Sequence, residues 1–403
     1  MTQCLLCSES LLAGATLALG KLTVCNQFEK EYTEQAQVHA LSISACAVCS
    51  LVQLTEYPAI EYVTPRLPWI RYNEPHAHLD AVMSELKSLL TDVPKHMAIG
   101  VGPFDEPMLE RLARWGFGCV QLDLATEFSK DSAEYPYLES IQSMLQPNML
   151  SELAAEQGTS QFVSCRYLLE HSHDPVGCLQ GLGELMAVGG MLLVEVPDSS
   201  KFLRRMDYSF IWEEHICYFS ESTLRACAQK AGYEVVHFAR FPGALEDALV
   251  CVLRVASSVS WQTKSVGPDL ENQDTFARYI TGFDDARQKY HSTLGTIAAK
   301  GQKVAIFGAG HQSIMFVNAL GLAQHIAYAI DDAPEKIGHL LPGTTIPIVP
   351  SSELARDPAI SICLLGVGPN IEQKIRSKCA DFLNRGGRMY SIFPGAGSAT
   401  IVD

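Results

Sequence analysis

Ala98-Ile-Gly-Val-Gly-Pro103 lies where a short apolar run, Met97–Val101, gives way to an amphipathic stretch, Met108–Trp115. A strand passing through a glycine turn into a helix is the opening unit of a parallel α/β sheet. The alternation continues outward. Cys119–Leu124, Phe162–Leu168 and Met191–Val196 read as strands, and a helix from Pro175 to Val188 is closed by Gly189-Gly190. Tyr233–Phe238 and Ala248–Val255 read as two more strands. Gly100 and Gly102 let the backbone approach a cofactor at the carboxyl end of the first strand. Asp123 stands 21 positions beyond Gly102, where an acid accepts hydrogen bonds from both ribose hydroxyls of an adenosine cofactor. Two glycines and one acid are equally met by an ordinary strand-turn-helix with a surface aspartate.

Beyond this unit, Ala256–Thr275 is polar and without period, and reads as a linker. A long amphipathic helix is expected from about Phe276 to Lys300, followed by a second βα series with strands at Lys303–Phe307, Ile326–Ile330, Ile360–Leu365 and Arg388–Ile392. Before it all, residues 1–85 are rich in cysteine and turn residues. The expected architecture is α/β throughout: an N-terminal module (1–85), a first Rossmann-like domain (86–255), a linker (256–275) and a second Rossmann-like domain (276–403).

The 403 residues are 47% hydrophobic and 19% charged, ample for several cores, and 30 Lys+Arg against 45 Asp+Glu give −15. That charge disfavours nucleic acid and anionic membranes as partners, though not a small anionic ligand. With no apolar run of membrane-spanning length and no basic leader, the expectation is a soluble, cytoplasmic protein. Oligomeric state is not legible.

Thirteen cysteines without a secretory signal point to a reducing compartment. Cys4-Leu-Leu-Cys7 and Cys46-Ala-Val-Cys49 are two CxxC pairs with 38 residues between them. Two such turns complete a tetrahedral S4 site, and with no open position the zinc is structural. Coincidence or a redox pair is the competing reading.

Three further stretches occur in order: Tyr167-Leu-Leu-Glu-His171-Ser-His-Asp-Pro175, Leu185-Met-Ala-Val-Gly-Gly-Met-Leu-Leu-Val-Glu-Val-Pro197 and Ile211-Trp-Glu-Glu-His215-Ile-Cys-Tyr-Phe219. Together they resemble the S-adenosylmethionine-dependent sugar C-methyltransferases, a class I methyltransferase family. Its "EH-x-x-DP", "GG-x-hydrophobic-E-V-P" and "EH-x-x-YF" segments they match. The resemblance implies S-adenosylmethionine as cofactor, held by Gly100, Gly102, Asp123 and Glu170. It also implies His215 as general base, Glu214 as its orienting or substrate-binding partner, and His171 near the reacting sugar. A histidine with a pKa near neutrality suits removal of a proton beside a carbonyl. The cofactor loop departs from the family pattern, with Ala98 in place of an acid and Pro103-Phe104 in place of Asp-Gly. Tyr72 is the nearest match to a family tyrosine that reaches substrate.

Val304-Ala-Ile-Phe-Gly308-Ala-Gly310-His-Gln-Ser313, with Asp331 21 residues after Gly310, has the outline of a dinucleotide site. Followed by Asp332, Pro334, Lys336, Gly338 and Leu341-Pro-Gly-Thr-Thr-Ile-Pro347, it resembles the C-terminal domain of the same methyltransferases. That resemblance assigns Gly308, Gly310 and Asp331 to substrate. The leading expectation is C-methylation of a ketosugar carried on a nucleotide. A non-catalytic binding protein that kept the fold, and an NAD-dependent oxidoreductase, are the alternatives from other classes.

Overall fold

The computed structural model describes residues 3–32, 38–63, 74–90, 97–122, 147–255 and 268–403. Three sheets organise them. The first is antiparallel: β1 (Leu11–Thr23), β2 (Val38–Cys46) and β3 (Val52–Leu54), extended by the short β8 (Cys217–Tyr218) from far along the chain. The second holds β4 (Met97–Gly100), β5 (Gly118–Gln121), β6 (Ser160–Arg166), β7 (Met186–Asp198), β9 (Tyr233–Phe241) and β10 (Asp247–Val255) in the order β5-β4-β6-β7-β10-β9. Its first four strands are parallel, and β10 runs antiparallel between β7 and β9. The third is wholly parallel. It consists of β11 (Lys303–Phe307), β12 (Ile326–Ile330), β13 (Ile348–Val349), β14 (Ile360–Leu365) and β15 (Arg388–Ser391), ordered β13-β12-β11-β14-β15.

Alternation along the central strands sets which face meets what. Phe162, Met191, Leu193, Val250 and Val252 pack with Leu79, Val82, Met108 and Leu112 from the helices Leu79–Glu85 and Glu106–Arg114. Their neighbours Val163, Leu192, Val194, Leu249 and Cys251 belong to the opposite core, which continues into Leu17 and Ile43 of the first sheet and Ile314 of the third domain. Strands buried on both faces read as unbroken apolar runs, which is why β6, β7 and β10 were legible.

Two boundaries differ from the sequence expectation. The helix expected to reach Val188 ends at Glu184, and β7 already pairs with β6 at Ser160↔Met186. Val188 is fully exposed, so another helical turn would bury nothing, and Gly189 at φ +75° lies within the strand. The helix expected from Phe276 starts at Leu270, inside the stretch read as linker. Asp269 caps it by accepting from the Asn272 N–H at 3.1 Å, and Gly282 divides it into Leu270–Thr281 and Phe283–Ala299. Residues 256–267 of the expected linker lie outside the described residues.

The strand order reverses at β4 in the second sheet and at β11 in the third. Ligand crevices open at the carboxyl ends of such strands, where neighbouring connections leave in opposite directions.

Candidate active site

At the end of β4 the two glycines are needed for packing. A Cβ on Gly100 would fall 2.7 Å from Asp105 Cβ and 2.9 Å from Leu109 Cδ1, and one on Gly102 would fall 3.3 Å from the Arg166 carbonyl oxygen. Asp105 is buried and accepts from the Gly102 N–H at 2.8 Å and from the Ser164 hydroxyl. Burial raises its carboxyl to about 6 against the pull of Ser164. Gln121 donates from its amide to the Gly102 carbonyl at 2.7 Å and the Gly100 carbonyl at 3.2 Å. The loop is therefore braced from beneath by the chain's own side chains. Asp123 and Tyr72 lie outside the described residues.

Arg166, at the end of β6, forms a buried fork with Glu195, and its remaining donors hold the carbonyls of Phe104 and Pro75. His78 donates to the same Glu195 at 2.8 Å. Burial alone would push the Glu195 carboxyl up, but His78 and Arg166 outweigh it and hold it below the usual carboxylate range.

Immediately beyond, Tyr167 at φ +51° turns the chain out of β6. A cavity of about 270 Å³ opens there, bounded by Tyr167, Glu170, His171 and Pro197 on the second sheet's side, by Trp212 and His215, and by His311 and Gln312 from the third sheet's domain. The His171 ring is hydrogen-bonded to the Glu214 backbone, and its Nδ1 has no partner. The His215 ring stands 4.8 Å away at 88°, and Trp212 stacks on His311 at 4.2 Å. Burial lowers all three imidazoles, His171 to about 3, His311 to about 4 and His215 well below its ordinary value. At neutral pH each is uncharged and offers a lone pair. Glu170 is buried beside them with Oε2 unpartnered.

The N-terminal module holds the His215 loop in place. β3 pairs with β8, the Leu54 N–H donates to the Ile216 carbonyl at 3.0 Å, and the Ile216 N–H donates to the Glu170 carbonyl at 2.9 Å. Glu213 accepts from the Cys25 N–H, and Glu214 from the Asn26 amide at 3.3 Å. The Glu214 carboxylate thus reaches the module, and the cavity lined by His215 does not include Glu214 in its lining.

In the third sheet, Gly308 at φ +100° crosses so close to Gly366 that a Cβ would sit 2.8 Å from its carbonyl oxygen, while Gly310 faces open space. Asp331 lines a second cavity of about 530 Å³ with these glycines. Its carboxylate is already engaged by the Ala309 and Ala333 N–H groups at 3.1 and 3.0 Å and by Lys336 at 3.4 Å. A dinucleotide ribose would need that carboxylate free, so the oxidoreductase outline weakens here.

Cys4, Cys7, Cys46 and Cys49 converge, with every Sγ within 4.8 Å of the others. The closest pairs are Cys7–Cys46 at 3.4 Å and Cys4–Cys49 at 3.5 Å, far beyond a disulfide bond. Four sulfurs at this spacing, with the Leu6 and Val48 N–H groups directed at Cys4 and Cys46, fit a tetrahedral thiolate site.

Comparison with known proteins agrees with this arrangement. A family model described as a methyltransferase domain matches residues 82–238, and one described as a C-methyltransferase C-terminal domain matches residues 258–394. The chain thus carries a stretch that matches a methyltransferase domain, followed by one that matches a C-methyltransferase C-terminal domain. The C-methyltransferase NovU of Streptomyces niveus is 27% identical over 268 residues, 64% of this chain and 63% of that relative. A ubiquinone biosynthesis O-methyltransferase of Xanthomonas campestris is 30% identical over 103 residues, 25% of this chain and 43% of that protein. The chain therefore spans less than two thirds of the length of either relative. The crystal structure of magnesium protoporphyrin IX methyltransferase from Synechocystis PCC 6803 with bound SAH covers 45% of this chain and 83% of its own, at 13% identity and a TM-score of 0.33. A score that low carries no weight.

Among the described residues, several that line the cavity escaped sequence reasoning. Glu246 comes from the turn between β9 and β10, and Glu74 from the stretch preceding the helix Leu79–Glu85. Burial raises their carboxyls to about 8 and about 7. Neither sits in a motif, and only the fold brings them to His171. Trp212 and His311 were visible inside quoted stretches, but their stacking joins residues 99 positions apart.

Proposed function

We propose that the chain is an S-adenosylmethionine-dependent C-methyltransferase whose acceptor is a carbon beside a carbonyl, carried on a nucleotide-linked ketosugar or similar small molecule. The observation that carries this reading is the meeting of two uncharged histidines, His171 and His215, in one cavity at the carboxyl end of β6. When bound, the cofactor would supply an electrophilic methyl group. Gly100, Gly102 and Asp123 would hold it over the ends of β4 and β5. The braced loop fits that role because it costs no reorganisation on binding.

His215 is assigned removal of the acceptor's α-proton. An imidazole kept neutral by burial has its lone pair available throughout the neutral range. His171, oriented through the Glu214 backbone, faces the same space and accepts a hydroxyl of the acceptor at Nδ1. The smaller and larger cavities share His311 and Gln312, which favours an acceptor of two parts, one reacting and one anchored near Gly308 and Gly310. The four cysteines are assigned one structural zinc, which steadies β2 and β3 and through them the His215 loop.

A second reading is favoured by Phe104. It occupies the place of the family's loop glycine, its carbonyl held by Arg166 and its ring edge-on to Tyr167 at 6.5 Å. A bulky residue there suits a non-catalytic relative. Calorimetry with S-adenosylmethionine and with NAD separates the readings. Sulfonium binding supports the methyltransferase, binding of neither supports the non-catalytic protein, and binding of NAD alone returns the oxidoreductase.

A further inference from the structure

The cavity beside His215 is lined by carboxyls, with Lys201 and Arg166 acting on two of them only from behind its wall. Among the described residues that line it are Glu74, Glu170 and Glu246, and there is no lysine or arginine. Glu170 is the most enclosed, 2% exposed on the short turn Leu169–His171 that follows β6. One of its oxygens takes the residue's own backbone N–H, and Oε2 has no partner. His171 cannot donate to it, since its ring N–H goes to the Glu214 backbone and leaves Nδ1 as an acceptor. A carboxyl oxygen of Glu170 and a ring nitrogen of each of His171 and His215 all lie within 4.8 Å of one another. Of the guanidiniums near the cavity, Arg166 is spent on Glu195, and Arg205 is directed at the Ala244 and Leu245 carbonyls.

An ionised carboxylate in that position would face other acids with only its own backbone N–H to receive. A carboxylic acid avoids the charge and gains an O–H directed into the cavity. We propose that Glu170 acts as a neutral acid that donates a hydrogen bond to the acceptor's carbonyl oxygen while His215 takes the α-proton. The inference rests on the methyltransferase reading of this same cavity. In the step, the acceptor C–H bond breaks and an N–H bond forms on His215. The released electron pair enters the carbon–carbon bond, and the carbonyl π pair moves onto oxygen. The enolate oxygen then receives the Glu170 O–H bond, which strengthens as charge develops there. Nothing is oxidised or reduced.

The groups facing Glu170 act together. Burial, with Glu74, Glu246 and Glu195 adding to it, raises its carboxyl well above the ordinary value, while His171 and His215 remain uncharged. This differs from a cofactor-binding role, in which an ionised Glu170 would pair with the cofactor's own donors.

Two variants of the full-length protein decide it. Glu170→Gln keeps the shape and an N–H donor, and Glu170→Leu keeps neither donor nor acceptor. The infrared difference spectrum of wild type against Glu170→Gln at pH 7 should contain the carbonyl stretch of one protonated carboxylic acid. In heavy water with nucleotide-linked ketosugars as probes, Glu170→Gln should keep α-proton exchange within about tenfold, and Glu170→Leu should lose roughly 10²–10³. Wild-type exchange should fall at high pH as Glu170 ionises, and that limb should be absent from Glu170→Gln. The proposal is overturned if the difference spectrum lacks the acid band, or if Glu170→Leu exchanges at the wild-type rate. The infrared measurement needs no acceptor, so its failure is distinct from failure of the methyltransferase reading.

Discussion

Replacing Arg166 by Met tests whether the buried fork behind the Gly100–Gly102 loop holds the second sheet together. Arg166 is 1% exposed and Glu195 fully buried. The guanidinium donates to both Glu195 oxygens, to the Pro75 carbonyl at 2.6 Å and to the Phe104 carbonyl. The variant leaves a buried carboxylate with His78 as its counter-group and strips two carbonyls of their donor. Breaking one side of a buried ion pair costs about 3–5 kcal/mol. For a domain of this size that lowers the melting temperature by roughly 6–20 °C. Urea unfolding followed by far-ultraviolet circular dichroism measures the loss, and its pH dependence identifies the cause. In the wild type the Glu195 carboxyl lies below its ordinary value, so its stabilisation is present above the unfolded pKa of about 4.3 and disappears as pH falls through the folded one. The gap between variant and wild type should therefore narrow as Glu195 takes up a proton in both. Adding Glu195→Gln to Arg166→Met should recover part of the stability. A loss under about 1 kcal/mol, or a gap unchanged between pH 8 and pH 4, would refute the reasoning.

Other expectations follow from separate parts of the molecule. Purified protein should contain about one zinc per chain by plasma mass spectrometry, and Cys46→Ser should lower both that content and the stability of the first sheet; a zinc-free chain of equal stability would end the S4 assignment. Gly308→Ala should destabilise the C-terminal domain by about 1–3 kcal/mol, since φ +100° and the Gly366 carbonyl both oppose a Cβ, and unchanged urea midpoints would contradict it. Asp105, raised to about 6 by burial, favours the fold at low pH, and this contribution is lost as pH rises from the unfolded value through 6. Asp105→Asn should therefore remove roughly 2–3 kcal/mol of that pH dependence, and a wild-type slope in the variant would show the carboxyl to be ionised.

How much was legible in the sequence depended on the range of the interaction. β11, β12 and β14 fall on the expected residues because each is a short apolar run between turn signals. Ser220, next after the quoted Ile211–Phe219 stretch, caps the helix Glu221–Lys230 by a similarly local interaction, and Thr223 completes its capping box. Asp269 was equally local but was hidden in a polar stretch read as linker, so the helix beginning at Leu270 was placed six residues late. The first sheet was missed because β1 and β2 lie among turn residues and because β3 finds its outer partner, β8, more than 160 positions away. Within the site, His171 and His215 were expected from motif context, and the fold brings their rings together in one cavity. Glu214 was expected to partner His215 from the same resemblance, and its bond to Asn26 of the N-terminal module, a contact distant in sequence, had no local signal. Glu246 and the Arg166–Glu195–His78 network are products of tertiary packing and carry no local signature.

The most direct test follows a labelled methyl group from S-adenosylmethionine into nucleotide-linked ketosugars, with wild type and His215→Asn side by side and the products resolved by mass spectrometry and carbon magnetic resonance. The account predicts a new carbon–carbon bond beside the carbonyl in the wild type. It predicts a loss of about 10²–10⁴ in turnover in His215→Asn, with cofactor binding retained. Label on oxygen, or a His215→Asn rate equal to the wild type, would contradict it.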